Sequence, residues 1–114
     1  MLKILLKFKD KELKTLETEK TEISIGRNEN NDIHINNLGA SKKHARIFKR
    51  RGEYIIEDLN STNGTLMNDE SILTAKLKSN DIVTIGKHNL FISLQDGQDD
   101  ATKDFAETTI MIKR

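Results

Sequence analysis

Short apolar or β-branched runs return every few residues along this chain, turn residues separate them, and no stretch sustains a helical period. The runs fall at residues 2–8, 13–18, 21–25, 33–35, 45–48, 54–57, 65–67, 72–73, 82–85 and 90–94. Side chains alternate across a strand, so each run buries one face and needs a second layer to cover it. The pattern predicts an all-β fold, a sandwich of two mainly antiparallel sheets of about ten or eleven short strands. Lys9-Asp10-Lys11 and Arg50-Arg51-Gly52 stand between runs as hairpin turns do, and Gly52 can take the positive φ that a tight turn requires.

A chain of 114 residues supplies one domain and one core. With 35% hydrophobic and 4% aromatic residues, that core must be built mainly from Ile and Leu. Cys is absent, which removes disulfides, thiolate nucleophiles and cysteine metal sites. No apolar run approaches about 18 residues and no charged segment precedes an apolar leader, so a cytoplasmic protein without a membrane partner is expected. A net charge of +1 argues against a general nucleic-acid binder. Six bases do lie between Lys42 and Arg51, but three surround a hairpin turn, where charge solubilises, and one Tyr with four Phe offers few stacking platforms. No nucleic-acid partner is expected. Charge is also uneven along the chain. Residues 95–114 carry five acids against three bases, while residues 1–94 carry +3. The division expected is a domain at 1–94 and an acidic, flexible tail at 95–114.

Three polar clusters fall at the ends of expected strands: Gly26-Arg27, Ser41-Lys42-Lys43-His44 and Asn60-Ser61-Thr62-Asn63-Gly64. Arg, Ser, Lys, Thr and Asn on adjacent loops of one rigid scaffold suit the capture of an anion, above all a phosphate, because the guanidinium is a rigid fork and the hydroxyls are compact donors. In this order, with Asn31-Asp32-Ile33 between the first two clusters and Asp81-Ile82-Val83 late in the chain, these residues resemble the forkhead-associated (FHA) domain, a phosphothreonine-binding module. The resemblance covers roughly residues 2–94.

What it implies is specific. Arg27 contacts the phosphate or the peptide backbone beside it, Ser41 and Lys42 bond phosphate oxygens, and Thr62 and Asn63 grip the phosphate and the peptide main chain. Gly26, His44 and Gly64 support these residues structurally, and Lys43 is a solvated charge. His34 and His88 lack a motif partner and read as surface or loop histidines. The implied function is an adaptor, without catalysis, cofactor or metal, that recruits a phosphothreonine-containing protein after an upstream Ser/Thr kinase has acted. Three positions depart from the family pattern: Asn80 stands where Gly is usual, Ala40 stands where Val is common, and Gly39 has no side chain where some members read the residue three places after the phosphothreonine.

Other classes fit less well. Ser41, His44 and Asp58 have the identities of a hydrolase triad, yet no Gly-x-Ser-x-Gly elbow surrounds Ser41 and His44 lies only three residues on. A structural scaffold domain whose loops bind nothing is the remaining alternative, since fold does not dictate function. The loop Asn28 to Asp32 has oxygen ligands but lacks the spacing of a calcium loop and its Gly. In the tail, acids precede the pair Thr108-Thr109 and aliphatics follow it, and the segment resembles the Glu-Thr-Thr stretch near the end of some bacterial FHA proteins. Thr109, with Ile112 three places on, is the better phosphosite of the two, and a phosphorylated tail would close the site or associate two chains.

Overall fold

A computed structural model describes residues 1–95 of the chain. Those residues form eleven strands: β1 (Leu2–Phe8), β2 (Lys11–Thr18), β3 (Glu22–Gly26), β4 (Ile33–His34), β5 (Ala45–Arg50), β6 (Glu53–Asp58), β7 (Thr65–Met67), β8 (Glu70–Ile72), β9 (Thr74–Lys76), β10 (Ile82–Ile85) and β11 (His88–Leu94). They build a six-stranded sheet in the order β2-β1-β11-β10-β7-β8 and a five-stranded sheet in the order β4-β3-β5-β6-β9. All paired strands run antiparallel except β3 and β4, where Ile25 and Ile33 pair in parallel.

Alternation in the sequence sets which faces meet. Leu2, Ile4 and Leu6 of β1 and Leu90 and Ile92 of β11 point inward from one sheet; Ile23 and Ile25 of β3, Ile47 of β5 and Ile56 of β6 point inward from the other. Burying one such Ile or Leu side chain is worth about 1.5–3 kcal/mol, so this aliphatic layer is what holds the sheets together. Tyr54 is the sole aromatic among the described core residues.

Local irregularities follow from turn chemistry. Lys9, Arg51 and Asn80 have positive φ values of 57, 53 and 76, with Gly52 at 80, so Asn80 does adopt the left-handed conformation for which Gly is the easier residue. Two features depart from the expected strands. Strand β2 already starts at Lys11, and the expected run at 72–73 is two three-residue strands, β8 and β9, in different sheets. Leu73, 78% exposed, is the one residue between them. Strands this short bury at most one side chain partway and carry no readable alternation.

Candidate functional site

Register places three strand ends side by side. Ile25 of β3 pairs with Ala45 of β5, which pairs with Asp58 of β6, so the loops at 27–32, 35–44 and 59–64 emerge from one end of the five-stranded sheet. The turn between β10 and β11 joins them, since a Cβ built on Gly39 would stand 3.3 Å from Gly86 Cα.

Gly26 is required by space and not by a bend. A Cβ there would lie 2.2 Å from the Lys42 carbonyl oxygen, because the first two loops are laced together. The Arg27 amide donates to the Ser41 carbonyl (2.9 Å), and the Asn28 amide donates to the Lys42 carbonyl (3.2 Å). The Asn31 side-chain amide donates to both the Asn28 (2.7 Å) and Lys42 (2.9 Å) carbonyls, a clamp that spacing alone did not reveal.

His44 ties the second loop to the third. It is fully buried; its Nδ1 accepts from the Ser41 amide (3.0 Å) and its Nε2–H donates to the Gly64 carbonyl (2.8 Å), which fixes the proton on Nε2. Asp58 Oδ1 lies 3.9 Å from that Nε2. Ser41 presents its amide to the imidazole, not its hydroxyl, so the three residues do not form the relay of a hydrolase.

Asp58 organises the third loop. One carboxylate oxygen accepts from the Ser61 hydroxyl (2.5 Å) and the Thr65 hydroxyl (2.6 Å), and the other accepts from the Ser61 amide (3.0 Å). Burial pushes against ionisation here, but the hydrogen bonds from Ser61 and Thr65 outweigh it and hold the carboxyl below its usual range. Ser61 Oγ in turn accepts from the Gly64 amide (3.0 Å), where Gly64 takes a φ of 85. The sequence contains Ser61 and Thr65 beside the motif, but only the Asp58 contacts give them a role.

The five residues named as ligand contacts occupy this loop end with hydrogen-bonding capacity unspent. Arg27 Nε donates to the Ala40 carbonyl (3.1 Å), which leaves its terminal amino groups without a partner among the described residues. Ser41 Oγ accepts from the Thr62 amide (3.0 Å), so its own proton remains to be donated. Asn63 Nδ2 donates to the Gly39 carbonyl (3.0 Å), leaving Oδ1 as an acceptor. The exposed Lys42 ammonium and Thr62 hydroxyl have no partner among the described residues.

Elsewhere the first loop spends its oxygens internally. Asn28 Oδ1 accepts from the Asn30 amide (3.0 Å), and the Asp32 carboxylate accepts from Lys20 Nζ (2.6 Å) and the Ser24 amide (2.9 Å). The Lys20 hydrogen bond, followed by that from Ser24, holds the Asp32 carboxyl below its usual range. His88 corrects an expectation: it is 4% exposed, at the start of β11, with its ring centroid 4.9 Å from that of Phe8. Inward alternation on β11 overrides its polarity. Thr108 and Thr109 lie outside the described residues.

Comparison with known proteins follows this geometry. A family model described as the FHA domain matches residues 23–86, more than half of the chain. The glycogen accumulation regulator GarA of Mycolicibacterium smegmatis is 35% identical over 78 residues, covering 68% of this chain and 49% of that protein. The oxoglutarate dehydrogenase inhibitor of Corynebacterium diphtheriae is 34% identical over 67 residues, covering 59% and 47%. The chain thus spans about half the length of the curated relatives it matches. Among solved structures, an FHA domain studied for phosphothreonine-dependent interactions superposes with a TM-score of 0.74 at 22% identity, covering 82% of this chain and 96% of that one. EmbR of Mycobacterium tuberculosis, in complex with a low-affinity phosphopeptide, gives 0.74 at 24% identity, covering 87% and 26%. At those identities the likeness is one of fold, and with the family match over residues 23–86 it establishes that the chain belongs to the FHA domain family.

Proposed function

We propose that the loop end of this FHA domain binds a phosphothreonine-containing segment of another protein and so acts as an adaptor downstream of a Ser/Thr kinase. The observation that carries the reading is the set of unspent donors: the Arg27 guanidinium, the Ser41 and Thr62 hydroxyls and the Lys42 ammonium, on loops that are otherwise hydrogen-bonded to one another. A phosphate dianion offers acceptors to all of them at once. Hydrogen bonds to charged groups are worth about 1.5–3 kcal/mol each, so three or four supply most of the ~8 kcal/mol of a micromolar complex. Asn63 Oδ1 is left to accept from the main chain of the bound peptide. Titration with a phosphothreonine peptide library, calorimetrically and beside the unphosphorylated peptides, tests the reading; heat that does not depend on the phosphate would refute it.

The tail supplies a candidate internal ligand, Thr109, with Thr108 as the lesser site. Its phosphorylation would place a second phosphothreonine on the same molecule, closing the site or joining two chains. If a Thr109-phosphorylated protein has the affinity for an outside phosphopeptide and the solution mass of the unphosphorylated form, this regulation does not exist.

A further inference from the structure

Beside the phosphate loops the sandwich has an open flank. The β1–β2 hairpin faces the edge strand β4 of the other sheet across a cleft, and register puts Leu6 opposite Lys14 and Phe8 opposite Lys11, on the inner face. A bulge after Leu6 leaves Leu13 without a partner on β1, and it is 45% exposed. Across from these residues stand His34 of β4 and the amides of Asn36 and Asn37, and the space between is a cleft of about 610 Å³.

Three properties define what this cleft can hold. No carboxylate lines it, although the chain has 18 acids, and Glu12, paired with Lys7, belongs to the outer face of the hairpin. Lys11 has no acidic partner among the described residues, while Lys14 Nζ reaches the Asp32 carbonyl at 3.1 Å and is held against the facing loop. His88, in the wall of the cleft, is 4% exposed with Nδ1 bonded to nothing, an unsatisfied polar atom of the kind folded proteins rarely keep. The cleft also neighbours the loops at 35–44 and 59–64. Asn37 borders both it and a smaller cleft of about 360 Å³ whose other walls include Gly39, Asn63, Gly86 and Lys87.

We propose that the cleft between the β1–β2 hairpin and β4 is a second recognition site, taking an aliphatic side chain and a neighbouring carboxylate from the protein whose phosphothreonine occupies the loops. Leu13 and Phe8 provide the apolar wall, Lys11 and Lys14 the complementary charge, and Asn36 and Asn37 amides for an extended main chain. The inference rests on the phosphothreonine reading for the identity of the partner, but the cleft's own chemistry does not depend on the phosphate. Its effect is to make affinity depend on sequence several residues away from the phosphorylated one, because two linked contacts raise each other's effective concentration.

The test uses the whole 114-residue chain and a phosphothreonine peptide extended at either end by a Glu-Leu repeat, a Gly-Ser repeat or a Lys-Leu repeat. The Glu-Leu extension is expected to bind at least about fivefold tighter than Gly-Ser, at one of the two ends, with Lys-Leu no better than Gly-Ser. Lys11→Glu combined with Leu13→Asp, both on exposed positions, is expected to erase that gain and leave the unextended phosphopeptide unchanged. Amide chemical shifts are followed in parallel with an unphosphorylated Glu-Leu peptide, and movement at Leu13, His34, Asn36 and His88 supports the site. If the extensions bind alike, or the gain survives in the double variant, the second site is refuted even though the phosphopeptide binds. If the phosphopeptide fails to bind while those amides still move, the cleft stands and the phosphothreonine reading falls.

Discussion

The two ends of the sandwich are each tied by an aspartate, and they differ in what stands beside the knot. At the end away from the phosphate loops, Asp81 accepts from the Asn68 side-chain amide (3.0 Å) and the Lys78 amide (2.8 Å), and Asn68 Oδ1 accepts from the Ile82 amide (3.0 Å). Ser79 closes on Leu94 by two further bonds, of 2.8 and 3.3 Å. At the loop end Asp58 plays the same part with Ser61 and Thr65, yet Arg27, Ser41, Lys42 and Thr62 keep donors unspent. An aspartate-centred knot is therefore a way of holding loops, and since Arg50, Arg51 and Lys78 at the far end also lack side-chain partners among the described residues, binding capacity is read from hydroxyl and cationic donors gathered on loops that are laced together.

That contrast can be broken most decisively at Arg27. Arg27→Ala is expected to lower phosphopeptide affinity at least about 100-fold, some 3 kcal/mol, because a rigid fork is lost from the phosphate. Asp81→Ala should leave affinity within about twofold of the parent while lowering the melting temperature. Equal losses of affinity in the two variants would place the ligand elsewhere. Next in size, Asp58→Ala should cost about 3 kcal/mol of stability in denaturant unfolding, since it strands the Ser61 and Thr65 hydroxyls, and should weaken binding as well. Ser41→Ala follows, with about 1–2 kcal/mol lost from binding and little from stability. Replacing phosphothreonine by phosphoserine removes one methyl group from the contact and should cost about 1 kcal/mol, which calorimetry would register.

The smallest effects come from pH. The Asp58 and Asp32 carboxyls ionise more readily in the fold than in the unfolded chain, so their contribution is full above about pH 4 and is lost as pH falls through the lower folded values. Burial lowers the His88 pKa, so its contribution is full above about pH 6.5 and declines as acid forces a proton onto the unfolded imidazole first. The melting temperature should thus fall in two stages on acidification. Asp58→Asn should flatten the lower stage and His88→Phe the upper; a single stage insensitive to both would contradict these assignments.

The aliphatic layer was legible because Ile and Leu recur with period two at Leu2–Leu6, Ile23–Ile25 and Leu90–Ile92, and short-range alternation survives any arrangement of the sheets. The loop clusters were legible because their residue types and order are unusual together. Strand β9 was not, for it exists through pairing with β6 and has only Ala75 turned partly inward. The Asn31 clamp and the contacts Asp58 makes depend on which segments become neighbours, and no local pattern carries that information. Nor does sequence say which donors a loop spends on its own backbone. Arg27 splits between Ala40 and solvent, which only the packed loops reveal.

At the end opposite the loops, the Met1 ammonium donates to the Gln95 carbonyl (2.6 Å) and the Gln95 amide donates to the Met1 carbonyl (2.9 Å), so chain entry and exit are adjacent. The sandwich is then a ruler between its own exit and its binding loops. The seven residues of β11 alone measure about 23 Å along that path. Thr109 follows Gln95 by fourteen positions, and fourteen residues span at most about 46–50 Å. On the reading proposed above, a phosphorylated Thr109 has the reach to meet the loops of its own domain as well as those of a second molecule. Nine residues would still span about 30–32 Å, so a deletion must leave six or fewer, about 20–22 Å, before closure within one chain is lost while exchange between two chains remains, and tail length becomes the variable that separates those two outcomes.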